Sequence, residues 1–210
     1  MVKDSLLISQ ILAEKTFAEL NQAEKPRARS RIWQDPKGYQ KLAVWQNAAL
    51  LRVLIRKFTE TLPTYLTTLN RFPYSPLKSE HRLIAQMDDE ARSVKRNIEE
   101  GFKRPTTAEY LTFLGYSQAS LEELKGDLRD CKTDGFLVSI PGSTLKDLGF
   151  NLRVFKGGIR GIKGEPTEPG HPYCQPLTTL KPAALTFEVL VELANKTDYL
   201  LLRLVVALEK

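Results

Sequence analysis

The 210-residue chain has two cysteines, Cys131 and Cys174, and two histidines, His81 and His171. Two thiols cannot build a disulfide framework, and this sparing use predicts a reducing, cytoplasmic compartment. Metal chemistry is equally poorly supplied. His171 and Cys174 stand at i, i+3, but zinc sites draw on two close ligand pairs, and Cys131 falls on an apolar helical face. No metal or other cofactor is therefore expected. Long apolar runs are also missing: the longest, Tyr199 to Leu208, is broken by Arg203 and is too short to span a bilayer. The opening MVKDSLLISQILAEK is acidic early and its apolar positions are interrupted, unlike a secretory leader. There is no G-x-x-x-x-G-K phosphate loop and no nucleophile motif. Ser117 and Ser120 have no histidine near in sequence to activate them. Nothing argues for an enzyme, and the chain is read as non-enzymatic.

What is present is positive charge and helical periodicity. The formal net charge is +6, and residues 25–104 hold 17 Lys and Arg against 8 Asp and Glu, while residues 1–24 and 105–135 are net acidic. Concentrated basic charge favours a polyanion, nucleic acid first in line, although a solvated basic surface has the same composition. Hydrophobic content of 42% and charged content of 27% are those of a globular protein with one sizeable core.

Five helices are predicted. Residues 4–23 place Leu7, Ile8, Ile11, Leu12 and Ala18 on one side. The linker 24–38 alternates Arg27, Arg29 and Arg31 ahead of Trp33. Such an arm can grip phosphates and stack on a base, or Trp33 can pack back on the protein. Residues 39–62 carry Val44, Trp45, Ala48, Leu51, Ile55, Phe58 and Leu62 at i, i+3, i+4 spacing. Leu50, Val53 and Leu54 widen that arc. The extra width points to a second buried face in an oligomer, or to a central helix in a monomeric bundle. Arg52, Arg56 and Lys57 line its polar side. A proline-rich loop, 63–79, leads to a helix over 79–101, with Leu83, Ile84, Met87, Ala91, Val94 and Ile98 inside and Arg82, Asp89, Arg92, Arg96 and Lys103 outside.

Gly101 is expected in the left-handed conformation that ends this helix, with Lys103 and Arg104 suited to its carboxyl end. Pro105 blocks continuation. Thr106 and Glu109 form a capping box for the next helix, 107–133. There Tyr110, Phe113, Leu114, Leu121, Leu124, Leu128 and Cys131 face the core, and Gly115, Ser117, Ala119 and Ser120 allow close helix approach. Residues 134–182 are rich in glycine and proline, with a possible hairpin about Gly157-Gly158; they are a second nucleic-acid contact or a mobile insertion. Phe187, Leu190, Ala194, Thr197, Leu201, Leu204 and Leu208 define a last helix, 184–209.

The stretch ARSVKRNIEEGFKR, with Ala91, Ser93-Val94, Asn97-Ile98, Glu100-Gly101 and Arg104, resembles the A-SI--NIAEG--R signature of the four-helix-bundle family named after intervening sequences in bacterial 23S rRNA genes. That family includes the accessory variability determinant of diversity-generating retroelements. Leu42, Val44-Trp45-Gln46 and Ala48 resemble its L-VWQ-A opening, Leu62-Pro63 its helix-ending LP, Gln86 its glutamine before the signature, and Tyr110, Phe113-Leu114, Ala119-Ser120 and Glu123-Leu124 its F--FL and GS--EL. The likeness covers about 40–136. Lys95 stands where proline is common and Glu99 where alanine is common. Residues 1–36 and 137–182 have no evident counterpart.

The expected fold is all-α: an antiparallel up-and-down four-helix bundle, 39–210, interrupted by an irregular insertion at 135–182 and preceded by an extra helix and basic linker, 1–38. The resemblance implies a homopentamer with a basic surface. It also implies a function in binding RNA or a DNA–RNA hybrid, beside a reverse transcriptase as in diversity-generating retroelements. The alternative is a protein-interaction scaffold, or a ribosome-associated bundle protein of an rRNA intervening sequence. The candidate nucleic-acid contacts are Arg27, Arg29, Arg31, Arg52, Arg56, Arg92, Lys95, Arg96, Lys103 and Arg104.

Overall fold

The computed structural model describes residues 35–62, 77–155 and 164–209. Four long helices make the bundle: α1 (Ala43–Thr59), α2 (Leu77–Phe102), α3 (Thr107–Thr133) and, after a short α4 (Cys174–Thr179), α5 (Phe187–Leu208). No strand occurs among the described residues. Each long helix has two neighbours: α1 packs on α2 and α5, and α3 packs on the same two. The order is up-and-down. A four-residue corner reverses the chain between α2 and α3. Across the α3–α5 seam, Lys132 meets Phe187 at one level and Lys125 meets Asp198 at another, as antiparallel helices require. The predicted helix at 4–23, the arginines of the linker and the Gly157-Gly158 hairpin lie outside the described residues.

The apolar stripes meet as their spacing dictates. Trp45, Leu51 and Ile55 of α1, Met87, Val94 and Ile98 of α2, Leu114, Leu121 and Leu128 of α3, and Leu190 and Leu201 of α5 are all fully buried. Leu50 and Leu54 of α1 are buried as well. The wide apolar arc of α1 is therefore covered within one chain, by α2, α5 and the insertion, with Val53 half-buried, and offers no exposed second face for an oligomer. The small residues of α3 also fall differently from expectation. Gly115 and Ala119 are exposed, and only Ser117 sits at a helix contact, donating to the Val94 carbonyl at 2.8 Å.

Helix ends follow local chemistry. α1 begins only at Ala43, because residues Gly38–Lys41 wind as a tighter 3-10 turn and Leu42 is extended. The Thr106–Glu109 capping box is formed in full, with both reciprocal bonds present. Thr186 caps α5 and accepts from the Val189 amide. The left-handed glycine is not where the sequence suggests. Gly101 lies inside the last turn of α2 and is absent from the positive-φ glycines. A β-carbon there would stand 2.6 Å from Tyr110 Cδ2 and 2.8 Å from Phe113 Cβ, so the glycine is there for close approach of α3. The left-handed cap belongs to Gly135 (φ 79°), where Phe136 N bonds Cys131 O and Gly135 N bonds Lys132 O, the Schellman pattern that ends α3.

The insertion is pinned to the bundle by buried polar contacts. Trp45 Nε1 donates to Glu99 Oε1 at 3.0 Å, and Lys95 bridges Glu99 (3.0 Å) and Glu165 (2.5 Å). The Tyr173 amide donates to His171 Nδ1, so the ring proton is on Nε2, which donates to Gln46 Oε1 at 2.9 Å. Gln46 in turn donates to the Gln40 carbonyl. Burial lowers the His171 pKa, keeping the imidazole neutral in this chain of bonds. Cys131 is enclosed beside Met87 Sδ, and burial pushes its thiol up to about 12. Both groups are thus committed to packing and hydrogen bonds, away from any zinc set.

Candidate nucleic-acid interface

The candidate cations divide into three groups by position. The first lies between α1 and α2. Successive turns of α1 bring out Arg52 and Arg56, and the facing turns of α2 bring out Asp88, Asp89 and Arg92. Together these residues line a cleft of about 270 Å³. Arg92 pairs with Asp89 at 2.7 Å and Arg56 with Glu60 at 3.1 Å; all four side chains are more than half exposed. Asp88 accepts from Thr59 Oγ1 at 3.0 Å, which ties the two helices together across the cleft. Arg52 has no ion-pair partner among the described residues. Arg96, one turn beyond Arg92, is 63% exposed and reaches Glu99 at 3.4 Å. The exposed pairs Arg92–Asp89 and Arg56–Glu60 contribute about 0.5 kcal/mol or less each, so they are easily exchanged for a phosphate.

The second group is the corner. Lys103 is exposed and stands over the Tyr39 ring at 5.6 Å, and Arg104 lies over the Phe113 ring at 4.4 Å with its Nε buried. Beneath them the rings of Tyr39, Phe102 and Tyr110 make edge contacts that fix the turn. Lys103 is open to solvent; Arg104 is largely held by its ring.

The third group is Lys95 alone, and here the structure corrects the sequence reading. Lys95 is 6% exposed, sits 5.1 Å from the Trp45 ring centroid and is paired with two carboxylates. Its helical position turns it toward α1, so it belongs to the interior network and not to a phosphate-facing surface. Arg27, Arg29 and Arg31 lie outside the described residues.

Asp89, which the helical pattern puts on the same outer face as Arg92, pairs with it at the three-residue step at which helical side chains meet. Sequence reasoning missed Asp88 and its tie to Thr59. It also missed Lys125, which is 5% exposed and joins Glu122 (2.6 Å) to Asp198 (2.7 Å) across α3 and α5. A lysine between acidic residues on an acidic helix was the available signal. Among the described residues no cluster of His, Cys, Asp and Glu is arranged to hold a metal ion, and no helix is long and apolar enough to cross a membrane.

The cleft, the corner and the first three long helices all fall within residues 40–148, the part of the chain that matches the family model described as 23S rRNA-intervening sequence protein. No curated protein and no solved structure matches the chain. The family match spans just over half of the 210 residues and coincides with the bundle elements carrying the signature motifs, so the chain belongs to the 23S rRNA-intervening sequence protein family.

Proposed function

We propose that this protein is a non-enzymatic, cytoplasmic RNA-binding protein that works as a homo-oligomer, with the α1–α2 cleft as its phosphate contact. The observation that carries the reading is the convergence of Arg52, Arg56 and Arg92 on one cleft, continued by Arg96 along α2. A guanidinium presents five donors in a planar fork, and the surface pairs at Arg56 and Arg92 leave most of them for phosphate oxygens. The family is described by the intervening sequences of 23S rRNA, which makes structured RNA the first ligand to try. An oligomer would repeat this modest contact and gain avidity without new chemistry. A role beside a reverse transcriptase, on template RNA or a DNA–RNA hybrid, makes the same demand on the face. A reverse-transcriptase reading frame next to the gene separates it from a ribosomal role.

The test is a salt titration of RNA affinity for the wild type and for the Arg52→Gln, Arg92→Gln double variant. Phosphate contacts weaken binding to many RNAs alike, and the loss of two should flatten the salt dependence by about two counterions' worth of slope. Arg203→Gln, at an exposed position of α5, is the control. Unchanged RNA affinity in the double variant, with the fold intact, would remove the cleft from the interface.

A further inference from the structure

A second pocket, of about 360 Å³, opens between the start of α1, the 144–153 stretch of the insertion and the middle of α5. Its volume falls in the range of small-molecule sites, roughly 300–1,000 Å³. Most of its lining comes from residues beyond 148, outside the family match, so it is largely a feature of this chain's added segment and last helix.

The lining holds an unusual polar group. Asn47 is only 2% exposed, yet its carboxamide has no hydrogen-bond partner among the described residues. Its neighbour Gln46 is fully bonded, to Gln40 and His171. The Asn47 oxygen and nitrogen are not among the sealed, unpaired atoms of the interior, so they open on the pocket. An amide withdrawn from bulk water but left unbonded is costly, and a ligand offering one donor and one acceptor offsets that cost. The carboxylate of Glu192, also in the lining, is already satisfied: it accepts from the Leu145 amide at 2.8 Å and pairs with Lys196. Tyr199 is 60% exposed, a large ring standing in solvent where it contributes little to the fold. Lys146 and Arg153 are exposed, with no ion-pair partner among the described residues.

The geometry points to a nucleotide as the ligand. A carboxamide pairs in two-point fashion with the donor–acceptor edge of a base, as Asn does with adenine. An exposed tyrosine stacks on the base face. Lys146 and Arg153 meet the phosphate. A carboxylic acid or a simple sugar satisfies Asn47 but leaves the ring unused, and inorganic phosphate uses the cations alone. The same chemistry is offered by a free mononucleotide or by an unpaired nucleotide of RNA. The site stands apart from the α1–α2 cleft and does not require that cleft to bind RNA.

The experiment is calorimetric titration of the full chain with the four 5′-ribonucleoside monophosphates, with ribose 5-phosphate and inorganic phosphate as comparators. At least one mononucleotide should bind with a Kd below about 1 mM, and the two comparators should bind at least tenfold more weakly. Tyr199→Ala and Arg153→Gln, both at exposed positions, should each weaken it by about tenfold; Asn47→Leu should abolish it. Competition by a single-stranded hexanucleotide, but not by a duplex, identifies RNA as the source. Competition by neither identifies the free nucleotide. Absence of binding at 10 mM nucleotide (~10 mM being far above any useful site affinity), equal binding of ribose 5-phosphate, or affinity unchanged in Tyr199→Ala would each overturn the assignment. So would affinity lost in the Arg52→Gln, Arg92→Gln variant and retained in Tyr199→Ala, which places nucleotide in the other cleft.

Discussion

At Gly101 the first turn of α3 lies so near that any side chain meets the Tyr110 ring or the Phe113 β-carbon. Gly101→Ala should therefore destabilise the protein by about 1–3 kcal/mol, through overpacking and without any backbone strain. Thermal melting of the variant measures it, and an unchanged melting temperature would mean the corner is looser than described. A sequence cannot separate these two uses of glycine, because a helix end and a close approach look alike in one dimension. Glu90 is a residue-scale case of the opposite kind, a charge site with the wrong surroundings. It is 7% exposed, and burial, then the nearby Asp127 and Glu123 carboxylates, push its pKa from 4.5 up to about 7; a bond from Gln86 opposes the shift only partly. The folded state thus holds a proton here that the unfolded chain releases near pH 4.5. Between those two values the folded state binds more protons, so this group's contribution to stability is full below about 4.5 and is lost as pH rises through about 7. Glu90→Gln should remove that slope and raise stability at pH 8 by on the order of 1 kcal/mol. Urea unfolding at pH 5 and pH 8 tests it, and a variant that loses stability at both would contradict the assignment.

Among the elements, the insertion is tied to the bundle through one buried network. Lys95 and Glu99 pair with each other, with Trp45 of α1 and with Glu165 of the insertion. The buried lysine on α2 is thus held by two carboxylates, Glu99 of its own helix and Glu165 of the insertion. Lys95→Met should cost about 3–5 kcal/mol, because it removes the buried cation of Glu99, 4% exposed, and leaves it only the solvent-exposed Arg96 at 3.4 Å. Adding Glu99→Gln should restore more than half of the loss, since an amide can still accept from Trp45 Nε1 and carries no buried charge. Chemical denaturation of the three variants decides it; additive losses would deny the coupling. In the sequence Lys95 counted as one more basic residue of a basic stretch. The partner that settles its role, Glu165, is far away in the chain and in a segment with no periodicity to place it.

For the whole molecule, the bundle was legible because long stripes at i, i+3, i+4 leave few ways to bury themselves, and the Thr106–Glu109 box marks a boundary by itself. The cleft was half legible: the arginines and Asp89 were visible on one face, the tie between Asp88 and Thr59 was not. The pocket at Asn47 was not legible, since nothing in a single Asn between two apolar turns predicts an unbonded carboxamide. The proposed oligomer must now rest on surface other than the arc of α1, which the chain buries itself. Tyr116 of α3 and Leu202 and Val206 of α5 are 55%, 52% and 40% exposed. Because α3 and α5 run antiparallel, they lie toward one end of the same seam. Light scattering should give a mass that is a multiple of 23.8 kDa, and Leu202→Glu should reduce it toward a single chain. A 23.8 kDa species in the wild type ends the oligomer proposal.

The chain order of the bundle sets an order of events during synthesis. α2 and α3 form a hairpin around a four-residue corner with its own cap and edge-to-face rings, a set of short-range contacts that closes quickly. α5, by contrast, occupies the slot between α1 and α3 and is made after both. Until Leu190, Leu193 and Leu201 arrive, a newborn chain presents an open apolar trough along α1 and α3. A chain halted before α5 would expose that trough, the kind of transient apolar surface that invites aggregation, so synthesis interrupted within the glycine- and proline-rich insertion is expected to reduce yield.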